Sequence, residues 1–151
     1  MATIIVGTNS YVSEAELTTY ATDRGITILG DTSVLLIKAM DYIETRSFIS
    51  VKTDVTQALQ FPRVLCALSS ECEYSNDEVP KNIKKAQIVS AILIDQGNDL
   101  QATNTQLVKS EKIDVLEVEY MDGSSQANFY TALNDLLKNF LTTNGLNLKR
   151  V

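Results

Sequence analysis

Hydrophobic residues recur three or four residues apart in four segments of the chain, which is the spacing of one helix face. The segments predict helices over about Glu14 to Arg24, Ser33 to Arg46, Pro80 to Gln96 and Asn128 to Leu141. The second segment is apolar on two sides, which indicates a central position in a bundle. We therefore predict a mainly α fold, a compact helical bundle of about four helices.

Polar residues and glycine mark the ends of these helices. Ser13 and Glu16 form the S-x-x-E capping box of the first helix, in which each side chain satisfies a backbone N–H of the first turn. Gly25 is the residue expected at a left-handed helix end. The other predicted starts are an N-cap at Asp31 or Thr32, Pro80 as a first helical residue and an N-cap at Asn128.

A strand pattern precedes the last helix. Leu116, Val118 and Tyr120 alternate with Glu117 and Glu119, so one face of the strand is apolar and the other acidic. With the preceding residues this pattern predicts a small β-hairpin at about 107–121. The acidic face is either a solvated surface, which we favour, or part of a site for a hard cation.

Three stretches fall outside the periodic pattern. Residues 1–12 are predicted to be an N-terminal arm, extended over 2–8, and residues 142–151 a C-terminal tail, with one helical domain over 13–141 between them. The segment from Ser47 to Val79 has no sustained period. Its Phe61 precedes a proline, which restricts it to an extended backbone, and we expect it to anchor this long loop.

Composition narrows the possible ligands. The chain has 151 residues, 44% of them apolar, with 13 Lys and Arg against 19 Asp and Glu and a net charge of −6. This charge argues against unaided binding to nucleic-acid phosphates and to anionic membranes. No apolar run approaches the ~20 residues that span a bilayer, and the N-terminus lacks a basic signal-peptide region. We expect synthesis in the cytoplasm.

Candidate catalytic chemistry is sparse. The chain contains no His, which excludes Ser-His-Asp triads and Cys-His pairs. Cys66 and Cys72 are expected to be reduced thiols, and the glycines form no phosphate-binding motif. Lys81, Lys84 and Lys85 crowd the start of the third helix, where we expect them to solvate the surface; the alternative is an acidic group opposite them. We predict no enzyme activity, no catalytic residues, no cofactor and no metal.

Five motifs follow one another in a fixed order along nearly the whole chain. They are NSYVSEAE from Asn9, AMDYIETRSF from Ala39, TQALQFPR from Thr56, VPKNIKKA from Val79 and VKSEKIDVLEVEYMDG from Val108. In this order they resemble the head-tail connector family of tailed phages and prophages, whose members often carry the label "DnaT-like single-stranded DNA-binding". Phe61 stands where the family usually has Trp, and 113–115 replace a usual Gly-Pro break.

The resemblance implies a structural virion protein without catalytic residues, made in the host cytoplasm and located in the phage neck. Such adaptors form a homo-oligomeric ring, typically of twelve copies, beneath the portal protein, and carry a stopper or tail-terminator protein below. Double-stranded DNA passes through the lumen without specific binding, and no membrane is involved. The implied fold is a compact helical bundle with a small β-hairpin.

From this resemblance we assign candidate functional residues. Those of the partner interface are Ile4, Ile5, Val6, Phe61, Arg63, Leu146, Leu148, Lys149 and Arg150, and the acidic residues facing the channel are Glu117 and Glu119. The alternative function is a single-stranded DNA-binding replication accessory protein. Charge and the lack of aromatics among the clustered lysines weigh against it. A tail-tube terminator is a third alternative.

Overall fold

Four helices and two short strands make up the regular structure of the residues that the computed structural model describes, which are 2–65, 75–100, 111–113, 116–118 and 124–142. The helices are α1 (Glu14–Thr22), α2 (Thr32–Glu44), α3 (Lys81–Asp95) and α4 (Ser124–Leu137). The predicted mainly α class and compact four-helix architecture are confirmed. No helix among these residues is long and apolar enough to cross a membrane.

The capping box of α1 is confirmed. Ser13 Oγ accepts a hydrogen bond from the Glu16 backbone N–H at 3.2 Å, and Glu16 Oε2 accepts one from the Ser13 N–H at 2.7 Å. The helix ends at Thr22, two residues before the predicted end. Gly25 then adopts a φ of +65° and the Ile26 N–H donates to the Ala21 carbonyl at 2.9 Å, so the predicted left-handed closure is present.

Helices α2 and α3 form the centre of the bundle. Asp31 is the N-cap of α2, since its Oδ1 accepts from the Ser33 N–H at 3.0 Å and from the Val34 N–H at 3.3 Å. Pro80 lies at the N-cap of α3 and not at its first helical position, which corrects that prediction by one residue. Both helices contribute to two clusters of buried apolar side chains, one towards α4 and one towards α1.

The prediction for α4 is wrong at its start. The helix begins at Ser124, so Asn128 lies inside it and is not its N-cap. Leu133 and Leu137 are buried, as the apolar spacing predicted, and Phe140 is buried in the turn that follows. The chain then pairs with the loop after α2, where the Ile49 N–H donates to the Phe140 carbonyl at 2.8 Å.

Two three-residue strands, β1 (Glu111–Ile113) and β2 (Leu116–Val118), precede α4. They pair antiparallel, with Glu111 opposite Val118 and Lys112 opposite Glu117. Most of the range of the predicted hairpin, about 107–121, lies outside the described residues. The hairpin therefore stays a prediction.

Candidate functional site

The N-terminal segment turns back at residues 5–9, so no strand runs through residues 2–8, for which an extended arm or edge strand was predicted. The Thr8 and Asn9 N–H groups donate to the Ile5 carbonyl at 3.0 and 3.1 Å, and Gly7 adopts a φ of +85°. The Asn9 side chain closes the turn: its Oδ1 accepts from the Ile5 N–H at 2.8 Å and its Nδ2 donates to the Thr3 carbonyl at 2.9 Å. We call residues 3–9 the N-terminal turn.

The N-terminal turn exposes apolar side chains to solvent. Ile5 is 54% exposed and Val6 is 55% exposed. Ile4 is half-buried and packs against the core cluster that contains Leu17 and Leu36. Of the three interface residues predicted here, two are therefore available to a partner and the third attaches the turn to the bundle.

A buried glutamine holds the residues that follow the turn. Gln87 of α3 accepts from the Tyr11 N–H through Oε1 at 2.9 Å, and its Nε2 donates to Ser10 Oγ and to the Leu36 carbonyl, both at 2.9 Å. Ser10, Tyr11 and Gln87 are almost completely buried. Residues 10–12 thus belong to the packed body, although they were predicted to be part of the arm.

The Tyr11 hydroxyl continues this buried polar contact. It donates to the Glu44 carboxylate and accepts from the Phe61 N–H at 3.3 Å. Burial, reinforced by the neighbouring Glu44 carboxylate, raises the pKa of Tyr11 well above its ordinary value. Glu44 also accepts from the Gln60 N–H at 3.0 Å, so one carboxylate joins the N-terminal segment to the loop after α2.

Phe61 and Arg63 lie inside the molecule. Phe61 is 2% exposed and packs edge-on against Phe48, with ring centroids 4.8 Å apart. Arg63 is 7% exposed, and its guanidinium donates to the Ile49 and Ser50 carbonyls and to Gln60 Oε1. The loop-anchor prediction for Phe61 is confirmed. The assignment of these two side chains to a partner interface gains no support, because contacts within the chain cover both.

The loop that Arg63 holds projects two further apolar side chains. Val51 is 67% exposed and Val55 is 94% exposed. Asp54 Oδ1 accepts from the Thr56 N–H and hydroxyl, both at 2.8 Å, and these bonds lower the pKa of Asp54. We call residues 51–57 the tip loop. The sequence pattern does not distinguish an exposed loop valine from a buried one, so these two valines were not among the predicted site residues.

A groove of about 470 Å³ opens between α2 and the turn after α3. Tyr42, Ile94 and Leu100 give it an apolar lining. Its charged lining residues are one cation and two anions, Lys38, Asp41 and Asp99. Among the described residues, no cluster of three or more His, Cys, Asp or Glu is arranged to hold a metal ion.

The start of α3 is the most basic surface in the described part of the chain. Lys81 and Lys85 are exposed and Lys84 is half-buried. The Glu16 carboxylate of α1 lies close enough to Lys84 for its charge to contribute to a lowered pKa of Glu16, after the larger contribution of the Ser13 N–H. The exposure of Lys81 and Lys85 agrees with the interpretation that these lysines solvate the surface.

The described residues offer few exposed aromatic rings on which nucleic-acid bases could stack beside this basic surface. In the described ranges, each aromatic residue whose side chain is placed is buried, with Tyr20 as the half-buried exception. Arg24 lies over the Tyr20 ring, with the guanidinium carbon 3.5 Å from the centroid. Stacking of bases on aromatic rings is a main source of affinity for single strands.

The remaining predicted residues lie outside the described part of the chain. These are Cys66, Cys72, Glu119, Leu146, Leu148, Lys149 and Arg150. Glu117 belongs to β2, but the placement of its side chain is not described. The predictions for the C-terminal tail and for a channel-facing acidic surface therefore stay predictions.

Comparison with known proteins identifies a family. A family model described as "Putative DnaT-like ssDNA binding protein" matches residues 2–151. No curated protein and no solved structure matches the chain significantly. The description agrees with the single-stranded DNA-binding alternative, and nothing in the comparisons names a head-tail connector. Because the match covers nearly the whole chain, the protein belongs to this DnaT-like family.

Proposed function

We propose that the protein is a structural adaptor of the head-tail connector of a tailed phage, one that forms a ring between the portal and the stopper or tail proteins. The observation that carries the proposal is the N-terminal turn, which holds Ile5 and Val6 exposed on a hydrogen-bonded backbone. An apolar surface held in one conformation suits a protein partner, because little conformational entropy is lost when it binds. The portal is the proposed partner of this turn.

The charge of the chain supports the same proposal. A net charge of −6 disfavours tight contact with DNA phosphates, and a ring through which double-stranded DNA slides needs weak contact. Glu117 and Glu119 remain our proposed lumen residues. The C-terminal residues Leu146, Leu148, Lys149 and Arg150 remain proposed contacts to a neighbouring protein.

The experiment is immunogold electron microscopy of phage particles from the bacterial host that carries the gene, with mass spectrometry of the purified particles. We expect the protein in mature particles and the label at the junction of head and tail. A protein that is absent from particles and present only in infected-cell extracts would contradict the proposal.

A matched pair of variants connects this result to the N-terminal turn. Ile5→Ser with Val6→Ser removes the exposed apolar surface, and Leu29→Ser removes an exposed apolar side chain elsewhere. Both should leave the free energy of unfolding within about 0.5 kcal/mol of the wild type, as surface changes usually do. We expect the double variant to be missing from particles and Leu29→Ser to be incorporated normally.

A second candidate function is single-stranded DNA binding, which the family description favours. Its surface in the described part of the chain would be Lys81, Lys84 and Lys85 at the start of α3. Binding of this kind weakens steeply with salt, because each phosphate contact releases counterions. The two candidates therefore differ in the surface they use and in their response to salt.

A further inference from the structure

The groove between α2 and the turn after α3 has no assigned occupant, and the C-terminal tail starts close to it. We propose that residues 143–151 of the tail fold back into the groove of their own copy. This docking withholds Leu146, Leu148, Lys149 and Arg150 from a neighbouring protein until assembly draws the tail out. The docking itself depends on the groove and the tail, and only the role given to its release rests on the proposed function.

The start of the tail is fixed beside the end of α2. The Thr142 N–H and hydroxyl both donate to the Ser47 carbonyl, at 2.9 and 3.0 Å, and Leu141 forms an antiparallel bridge with Phe48. Asp41 of the groove precedes Ser47 by six residues, which is about 9 Å along a helix axis at about 1.5 Å per residue. Residues 143–151 lie outside the described part of the chain, but Thr142 sets the point from which they start.

The tail is long enough to lie along the groove. An extended chain spans about 3.3 Å per residue, so Leu146 can lie up to about 13 Å from Thr142 and Arg150 up to about 26 Å. Lys38, the groove residue farthest from Ser47 along α2, is about 14 Å away along the helix axis. A short tether keeps the local concentration of the tail at its own groove in the millimolar range, which favours the same copy over a second one.

A buried hydrogen-bond donor lies on this path. Arg46 directly precedes Ser47, and its Nε is buried without a hydrogen-bond partner among the residues that the structure describes. The Arg46 guanidinium carbon lies 4.4 Å from the centroid of the Tyr42 ring, and Tyr42 lines the groove. Buried donors without a partner are rare in folded proteins. We therefore expect a backbone carbonyl of the tail to accept from Arg46 Nε.

The tail and the groove carry opposite charges. Residues 143–151 contain two cations, Lys149 and Arg150, and no acidic residue. The charged groups that line the groove are two carboxylates and one ammonium group, those of Asp41, Asp99 and Lys38. The net charge of the lining is therefore −1. The C-terminal end of α3, whose last turn contains no basic residue, adds the partial negative charge of a helix end.

The apolar residues of the tail match the groove as well. Leu146 and Leu148 are two residues apart, which places them on one face of an extended chain. Tyr42, Ile94 and Leu100 supply the apolar lining. The groove volume of about 470 Å³ lies within the ~300–1,000 Å³ of ligand pockets. An extended segment with two leucines on one face and two cations beyond them fits a groove of this lining.

The test is nitrogen-15 NMR relaxation of the full chain at two protein concentrations tenfold apart. We expect order parameters of about 0.8 at the Leu146 and Leu148 amides, where a free tail gives less than about 0.6. The values should agree at the two concentrations, because the contact lies within one copy. Asp41→Arg changes the net charge of the groove lining to +1 and should lower both order parameters below about 0.6. Asp41 is exposed, so the variant should fold.

Reversing the charges on both sides gives the decisive result. Lys149→Asp with Arg150→Asp should release the tail when the groove is intact. The same two substitutions combined with Asp41→Arg should restore the order of the tail, because the two surfaces again attract each other with the signs exchanged.

Asp77→Arg is the matched control, because it makes the same change at an exposed aspartate just before α3. The groove lies just after α3, a helix of 15 residues. Its length of about 20 Å exceeds the ~8 Å over which physiological salt screens a charge. We expect Asp77→Arg to leave the order parameters of the tail unchanged.

Several results would overturn the proposal. They are a flexible tail in the wild type, an equally ordered tail in Asp41→Arg, no recovery in the combined variant, and a loss of order in Asp77→Arg. Order that appears only at the higher concentration would assign the groove to the tail of a second copy and would also overturn it. Particle incorporation, measured separately, tests the proposed adaptor function. An ordered tail in a protein that is absent from particles would refute that function and leave this docking intact.

Discussion

The N-terminal turn and the start of α3 are the two surfaces on which the competing functions depend, and they are built in opposite ways. The turn presents Ile5 and Val6 on a backbone closed by Asn9. The start of α3 presents lysines at the positive end of a helix, where Pro80 supplies no side-chain cap. Cations there are unfavourable for the helix by about 0.3–1 kcal/mol each when exposed.

Of these two surfaces, the N-terminal turn is the one that the rest of the molecule holds in place. Buried hydrogen bonds from Gln87 hold the chain just after the turn, so its direction is set by the core. The Glu16 carboxylate lies near Lys84 and offsets part of the positive potential there. A preorganised apolar surface and a partly neutralised basic one favour a protein partner over a nucleic acid.

The largest effect is expected at Gln87, which joins the two regions. Gln87→Leu leaves the buried Tyr11 N–H without its acceptor, whereas the Leu36 carbonyl lies inside α2 and loses only an additional bond. A buried group left unsatisfied costs about 1–3 kcal/mol, so we expect the free energy of unfolding to fall by about 1–3 kcal/mol. Urea denaturation measures the change.

Ser90→Ala is the matched control for this substitution. Ser90 is also buried on α3, but its hydroxyl has no hydrogen-bond partner among the residues that the structure describes. We expect its removal to be neutral or slightly stabilising. If Gln87→Leu were no more destabilising than Ser90→Ala, the N-terminal segment would not depend on α3 for its position.

A smaller effect is expected when the turn itself is opened. Asn9→Ala removes the bonds to the Ile5 N–H and the Thr3 carbonyl, which are solvent-exposed, so the loss should be about 1 kcal/mol or less. Hydrogen exchange at the Ile5 amide should become faster while the core amides keep their protection. Thr8→Ala, which removes an exposed neighbouring side chain, should leave the Ile5 amide unchanged, and equal rates in both variants would contradict the account.

The smallest effect is expected at Glu16. Glu16→Gln keeps a capping-box residue and removes the negative charge near Lys84. The Ser13 N–H lowers the pKa of Glu16 in the folded chain, so the charge stabilises the fold above the ordinary Glu pKa and the benefit is lost as pH falls through the folded pKa. We expect a difference of a few tenths of a kcal/mol at neutral pH that shrinks as the pH falls below the ordinary Glu pKa of about 4.3 and vanishes once Glu16 is protonated. A difference in the free energy of unfolding that grows as the pH falls would contradict this prediction.

Local signals predicted the helices well and the candidate site poorly. Ser13, Glu16 and Gly25 act within a few residues of their own positions, so their roles follow from spacing alone. The contact of Gln87 with Tyr11 joins residues 76 apart, and no local pattern reports it. The N-terminal turn depends on one asparagine side chain bonding back to Ile5, which overrides the β-branched composition of residues 2–8.

The start of α4 shows how a plausible local signal can mislead. Asn128 precedes a strong apolar repeat and resembles an N-cap, yet the helix begins at Ser124. A residue that favours caps is also tolerated inside a helix when the surrounding turns are already formed. The pattern therefore identified the helix but not its first turn.

A titration of the full chain into a fluorescently labelled single-stranded oligonucleotide at about 150 mM salt tests the central claim most directly. Fluorescence anisotropy should show no saturable binding up to about 100 μM protein, the weak end of the usual non-specific range. Lys81→Glu with Lys84→Glu and Lys85→Glu should then behave like the wild type. Micromolar binding that weakens steeply with salt and is lost in the triple variant would contradict the account, and would place the function at the start of α3.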